Sequence, residues 1–177
     1  MTPPETADRY QFHPMTAADL PLVKRWLAEP HVVQWWGAPD EQYLLVGGDL
    51  DEPAMDQFIV SFAGRPFGYI QSYDLTAWNS GFGPQPPGTR AIDQFIGESD
   101  MIGCGHGSGF IRQFVDGLLT SSVPRVVTDP DPENGRAIRA YEKAGFARDH
   151  LVDTPDGVAL LMVRTHDAQA PLVPAAF

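Results

Sequence analysis

The chain has 177 residues, 43% hydrophobic and 20% charged, a globular composition long enough to bury the core of one domain. Asp plus Glu outnumber Lys plus Arg by 23 to 12, and a net charge of −11 leaves no basic footprint for a nucleic acid. No segment reaches the roughly 20 apolar residues of a membrane span, no basic-then-apolar leader opens the chain, and the lone Cys104 excludes an internal disulfide; a cytoplasmic protein is expected.

Residues 1–9 are polar and Pro-rich and read as a flexible lead-in. Tyr10–Pro14 is a candidate strand. Thr16-Ala-Ala-Asp19 is a short-side-chain capping box that opens a helix with Leu20, Val23, Trp26 and Leu27 on one face, and Pro30 is expected to end it. Gln34-Trp35-Trp36-Gly37 comes next, then a loop rich in Gly, Pro and Asp with a weak helical segment around Glu41–Val46. Phe58–Phe62 and Gly68–Tyr73 flank the Ala63-Gly64-Arg65-Pro66 turn and predict an antiparallel hairpin. Residues 74–89 are rich in Gly and Pro, a long connection of the kind that is functional or disordered in compact domains. Thr89–Ile96 is the next strand.

Ile102-Gly-Cys-Gly-His-Gly-Ser-Gly109 runs straight into an amphipathic helix bearing Phe110, Phe114, Val115, Leu118 and Leu119. A Gly-rich turn between strand and helix is the geometry that cradles phosphates, because bare backbone amides approach the anion and the helix N-terminus adds about half a positive charge. A P-loop would need a Gly-Lys-Ser/Thr that is not present, and both registers of Gly-x-Gly-x-x-Gly fail, at Ser108 and at Phe110. Pro124–Thr128 is a short strand, Asn134–Ala144 a helix capped by Asn134 and stopped by Gly145, and Phe146–Val152 and Val158–Arg164 are closing strands around Thr154-Pro-Asp-Gly157. No repeat or second domain is visible, so one domain is expected over 10–166 with a tail at 167–177.

The loop resembles the pyrophosphate loop of GNAT-superfamily N-acetyltransferases, Gln/Arg-x-x-Gly-x-Gly/Ala, with Gly105 and Gly107 at the required positions and Ile102 replacing the leading residue. Asn134-Gly-Arg-Ala-Ile-Arg-Ala-Tyr-Glu-Lys-Ala-Gly-Phe146 matches that family's Asn-x-x-Ala-x-x-x-Tyr-x-Lys-x-Gly-Phe at every defined position. The resemblance implies an α/β (α+β) fold with a mixed central sheet of six to seven strands flanked by helices. It implies acetyl-CoA as acyl donor and no metal, with Gly103, Gly105, His106, Gly107 and Ser108 around the diphosphate. Asn134 would meet the pantetheine arm, Ile92 and Phe95 the acyl group through their strand, and Tyr141 the thioester sulfur. Because His106 lies in a phosphate loop, it is expected to face solvent or the cofactor edge.

Gln34-Trp-Trp-Gly37, Gly68-Tyr-Ile-Gln-Ser-Tyr73, Ala91-Ile-Asp-Gln94, Thr128-Asp-Pro-Asp-Pro-Glu-Asn134 and Thr154-Pro-Asp-Gly157 are similar to segments of the aminoglycoside 6′-N-acetyltransferases. That likeness implies Asp93 as general base and Asp129 and Asp156 as carboxylates for a cationic amine, with Trp35, Trp36, Tyr43, Gln71 and Tyr73 lining the acceptor pocket. Turn residues are the bland reading of Asp129 and Asp156. Cys104 and His106 depart from the family's usual residues in the loop, and the chain is shorter between Trp36 and Tyr43. Rival expectations are a GNAT enzyme for a lysine-like or siderophore-precursor amine and a catalytically silent module on the same fold that binds acyl-CoA or sequesters aminoglycosides. Monomer and homodimer both stay open.

Overall fold

A computed structural model of the chain describes residues 9–79, 81–120 and 122–166; the lead-in up to residue 8 and the tail from residue 167 lie outside the described residues. Seven strands form one mixed sheet in the order β1-β2-β3-β4-β5-β7-β6, within the range expected. They are β1 (Tyr10–Pro14), β2 (Met55–Phe62), β3 (Arg65–Asp74), β4 (Arg90–Ile96), β5 (Arg125–Thr128), β6 (Ala147–Thr154) and β7 (Gly157–Thr165). Every neighbouring pair is antiparallel except β4 with β5, which are parallel and joined by a helical crossover. The β2–β3 hairpin turns on Ala63 and Gly64, both at positive φ, the backbone a two-residue turn requires.

Five helices cover the two faces: α1 (Leu20–Leu27), α2 (Pro30–Trp36), α3 (Pro39–Gly48), α4 (His106–Leu118) and α5 (Gly135–Lys143). The Thr16 backbone N–H donates to Asp19 Oδ2 at 2.8 Å, completing the anticipated cap ahead of α1. Pro30 corrects the sequence reading. It does not close α1, which already ends at Leu27, but opens α2 from its first turn, where its missing N–H has no helical partner to lose. Trp35 and Trp36 therefore sit at the end of α2. The segment around Glu41–Val46 is a full helix, α3, also opened by a proline.

Two apolar layers result. On one face α4 and α5 press Phe110, Ile111, Val115 and Ile138 onto Ile70, Ile92, Val126 and Met162. On the other, α1–α3 bring Trp26, Leu27 and Val46 onto Ile59, Tyr69 and Phe95, and a smaller cluster of Leu75, Phe82, Val127 and Leu161 lies further along that face. The long connection after β3 is tied down: Phe82 is 3% exposed, and Asn79 Oδ1 accepts from the Phe82 N–H at 3.0 Å. No helix among the described residues is long and apolar enough to cross a membrane.

Candidate active site

The parallel strands β4 and β5 pair only at Arg90↔Val126 and Ala91↔Val127 and then diverge. Thr128 Oγ1 donates to the Ile92 carbonyl at 3.1 Å, the last link across the opening. On the other side of β4 the Gly97 N–H donates to Phe67 O at 2.8 Å, a bond directed toward β3. Strand alternation then turns the peptide groups of Asp93 and Phe95 toward β3 and those of Gln94 and Ile96 toward the opening. This amends the expectation for Ile92 and Phe95. Ile92 meets the opening with a carbonyl held by Thr128, Phe95 contributes a ring to the α1–α3 face, and the Gln94 peptide group is turned toward the opening.

Because side chains alternate across a strand, residues 69, 71, 73 and 93 share one face of the sheet. The register places Gln71 opposite Asp93, and Gln71 Nε2 donates to Asp93 Oδ2 at 2.9 Å. The Tyr69 hydroxyl donates to Gln71 Oε1 at 2.7 Å. Asp93 has two further acids near it. Asp129 follows β5 directly, and Asp156 lies in the β6–β7 turn, where its N–H donates to Thr154 Oγ1 at 3.2 Å. All three carboxylates interact. Burial, only partly offset by the Gln71 bond and reinforced by the Asp156 charge, raises the Asp93 carboxyl above its ordinary value. Burial first, then the charges of Asp93 and Asp156, pushes Asp129 up to about 8. Asp129 and Asp156 are thus turn residues and members of one acidic cluster together. Tyr73 faces the same cluster, its phenol raised by burial and by Asp93 and Asp129, and its ring meets Trp78 edge-on at 6.1 Å.

Across the opening, Tyr141 of α5 is buried, and Gln94 Nε2 reaches its hydroxyl in a long hydrogen bond of 3.5 Å. Burial pushes the Tyr141 phenol up to about 12, so it holds its proton at neutral pH. The acidic cluster and this phenol therefore occupy opposite faces of the sheet, and the divergence of β4 from β5 is the passage between them. Asn134 caps α5, its Oδ1 accepting from the Ala137 N–H at 3.2 Å, as the helix reading anticipates.

The glycine turn leads into α4 at His106. Gly103 and Gly105 have φ of +75° and +83°, and a Cβ on either would meet nothing within 4 Å. Glycine is favoured there by backbone shape and not by crowding. Ser108 Oγ lies 3.4 Å from Gly105 O, and Cys104 is exposed. His106 departs from the expected solvent-facing position. Its ring is turned inward, Nδ1 lies 3.1 Å from the Tyr10 hydroxyl, and it packs against Phe62 and Phe67 at 4.6 and 5.4 Å between centroids. Only its backbone remains at the turn.

Trp36 packs edge-on against Phe95 at 5.0 Å and Tyr69 at 6.0 Å, which places it beside the Gln71 row. Trp35 is half-buried on the same helix. Tyr43 is half-buried on α3, with Lys24 Nζ 5.0 Å from its ring centroid. Sequence reasoning missed three residues at the site: Tyr69, Gln94 and Thr128. A period of two from Gln71 and Tyr73 already implicates Tyr69; Gln94 and Thr128 lie inside the family-like segments 91–94 and 128–134, which give them no role of their own. Among the described residues no group of three or more His, Cys, Asp or Glu side chains could hold a metal ion.

The family model for the acetyltransferase (GNAT) domain matches residues 15–154. The aminoglycoside N(6′)-acetyltransferase type 1 of Klebsiella pneumoniae is 39% identical over 166 residues, 87% of this chain and 82% of the relative. The structure of AAC(6′)-Ib in complex with paromomycin and acetyl-CoA superposes with a TM-score of 0.84 at 35% identity, covering 96% of this chain and all of that one. Another, of AAC(6′)-Ib with coenzyme A and kanamycin, gives 0.79 at 38% identity over 90% of this chain and 96% of the other. With the domain model matched over residues 15–154 and a relative 39% identical across 87% of the chain, the chain belongs to the GNAT acetyltransferase family.

Proposed function

We propose that the chain is an acetyl-CoA-dependent N-acetyltransferase acting directly on an amino group, the 6′-amine, of aminoglycosides. The observation that carries this reading is the convergence of Asp93, Asp129 and Asp156 on one side of the β4–β5 opening, with a protonated Tyr141 on the other. Ion-assisted hydrogen bonds are roughly twice as strong as neutral ones, and three carboxylates suit an acceptor with several ammonium groups better than one with a single amine. The relatives named for aminoglycoside acetylation, and structures holding acetyl-CoA, coenzyme A and aminoglycosides, point the same way.

The residues fit a coenzyme A donor. The glycine turn at Gly103 and Gly105 leads into the N-terminus of α4, the geometry a diphosphate requires, and β4 runs past its last pairing with β5 at Ala91↔Val127, which leaves room for an extended amide-bearing arm. Acetyl-CoA supplies the activated acetyl group when bound. Asp93 accepts the proton of the incoming ammonium, directly or through a water, an amine otherwise charged at neutral pH given a reference near 10.4. The Gln94 amide polarises the thioester carbonyl, the kind of donor whose loss costs about 10²–10³ in rate. Tyr141 delivers a proton to the departing sulfur. Trp36 and Tyr73 offer faces for sugar rings and cation–π attraction. The reaction is placed in the cytoplasm, where acetyl-CoA is available.

The test is release of free thiol from acetyl-CoA with kanamycin, tobramycin, hydroxylysine and a lysine peptide as acceptors. Turnover with the aminoglycosides is expected, and Asp93→Asn should lower kcat by about 10²-fold or more while acetyl-CoA binding, read by calorimetry, stays unchanged. Turnover confined to hydroxylysine or the peptide transfers the assignment to a lysine-like acceptor. Binding without thiol release ends the enzymatic reading.

A further inference from the structure

Three polar side chains stand in register across β2, β3 and β4: Gln57 opposite Gln71, and Gln71 opposite Asp93. Tyr69 lies two residues before Gln71 on the same face and is fully buried, its ring stacked on Phe95 at 5.2 Å and edge-on to Trp36. Its hydroxyl donates to Gln71 Oε1 at 2.7 Å, and the Gln57 side chain also reaches the phenol oxygen. Gln57 Nε2 donates to Val46 O of α3 at 3.0 Å, while its Oε1 has no partner among the described residues.

We propose that Tyr69 is a positioning residue for acetyl transfer, fixing the Gln71 amide so that its N–H, and not its carbonyl, meets Asp93. An amide's two ends are almost isosteric, and only the hydrogen bonds made at each end decide which faces a neighbour. Donation into Oε1 also polarises the amide and strengthens the bond that its N–H makes, and in a dry setting this transmission is larger than in water. Tyr69 touches neither acceptor nor donor; it acts through Gln71 on the Asp93 carboxylate. The same row ties α3, which carries Tyr43, to the reacting group through Gln57.

Burial and the charge of Asp156 in the β6–β7 turn oppose ionisation of Asp93, and Asp129 after β5 competes with it for ionisation; the phenols of Tyr73 and Tyr141 face the same group uncharged, and Asp49 beyond α3 faces Tyr69. The bond from Gln71 is the stabilising contact that the protein itself supplies to the carboxylate. Weakening it shifts Asp93 further toward its protonated form, and a base that is protonated more of the time works only at higher pH.

The inference rests on Asp93 as the proton acceptor, so two readouts are used. The first is the titration of the Asp93 carboxyl by NMR of ¹³C-aspartate-labelled full-length chain, assigned with Asp93→Asn; it needs no turnover. The second is the pH profile of kcat/KM with kanamycin. Tyr69→Phe is expected to raise the Asp93 midpoint by about half a pH unit and Gln71→Leu by about one. The acid limb of kcat/KM should move the same way, with the KM for acetyl-CoA unchanged. On a Gln71→Leu background, Tyr69→Phe should move neither. An unmoved midpoint in Tyr69→Phe, or an equal shift with and without Gln71, overturns the relay. Should Tyr69→Phe fail to fold, Gln71→Leu decides alone, and an unmoved midpoint there overturns it too. If the wild-type protein transfers acetyl to no amine, the functional reading fails, while the NMR titration still decides the relay.

Discussion

Asp129 carries a carboxyl pushed up to about 8 by burial and by the charges of Asp93 and Asp156, so at neutral pH it holds a proton in the free protein. An unfolded aspartate titrates near 3.9, and a folded value above it means that ionising the native state costs stability. The sign follows from linkage. Between about pH 4 and pH 8 the folded chain binds the extra proton, so stability falls as pH rises through that window and levels off above it. Asp129→Asn removes the ionisation, and its melting temperature relative to wild type should rise from pH 5 to pH 9. A polyammonium acceptor favours the ionised form, so its binding at pH 7 should release protons. Calorimetry in two buffers of different ionisation enthalpy measures that release, and equal heats in both would exclude it.

At the level of elements, the glycine turn and α4 separate two kinds of glycine. Gly105 sits at φ +83° in open space, so an alanine there pays only for left-handed backbone, about 1–2 kcal/mol. Gly107 lies in the first turn of α4, and a Cβ would meet Ala140 Cβ at 3.8 Å and Ile96 Cδ1 at 3.9 Å, which is ordinary contact. Gly105→Ala should therefore lower the melting temperature and raise the KM for acetyl-CoA together. Gly107→Ala should leave the melting temperature unchanged or higher, so any rise in KM reports on the cradle itself. Loss of stability in Gly107→Ala and not in Gly105→Ala would reverse the assignment. The sequence was most legible here, since strand–turn–helix order, the Asn134 cap and the Tyr141 face follow from periodicity and glycine placement. Pro30 was read wrongly because a proline disrupts a helix interior and fits its first turn equally well, so only the packing of Val32 and Trp36 on the sheet decides between stop and start. The inward turn of His106 was hidden for a related reason: two positive-φ glycines aim the first residue of α4, and their dihedrals are not written in composition.

For the whole molecule, the convergence of Asp93, Asp129 and Asp156 depends on the strand order β4-β5-β7-β6, which places three separated segments at one end of the sheet. No local pattern in the sequence encodes that, and only the family likeness anticipated it. The net charge of −11 then acts on the same side as the local cluster, because a polycationic acceptor is drawn by both. Screening separates this steering from contact chemistry. Raising ionic strength from about 0.01 M to about 0.15 M shortens the Debye length from roughly 30 Å to roughly 8 Å, which removes the distant charges and spares those in contact. The kcat/KM for an acceptor with four or five amines should fall steeply over that range, through KM, with kcat nearly constant. An acceptor reduced to one amine should show a much flatter response, since its attraction scales with its charge. Parallel salt dependences for the two acceptors would mean that the acidic surface contributes solubility alone, and that the three carboxylates act only once the acceptor is seated.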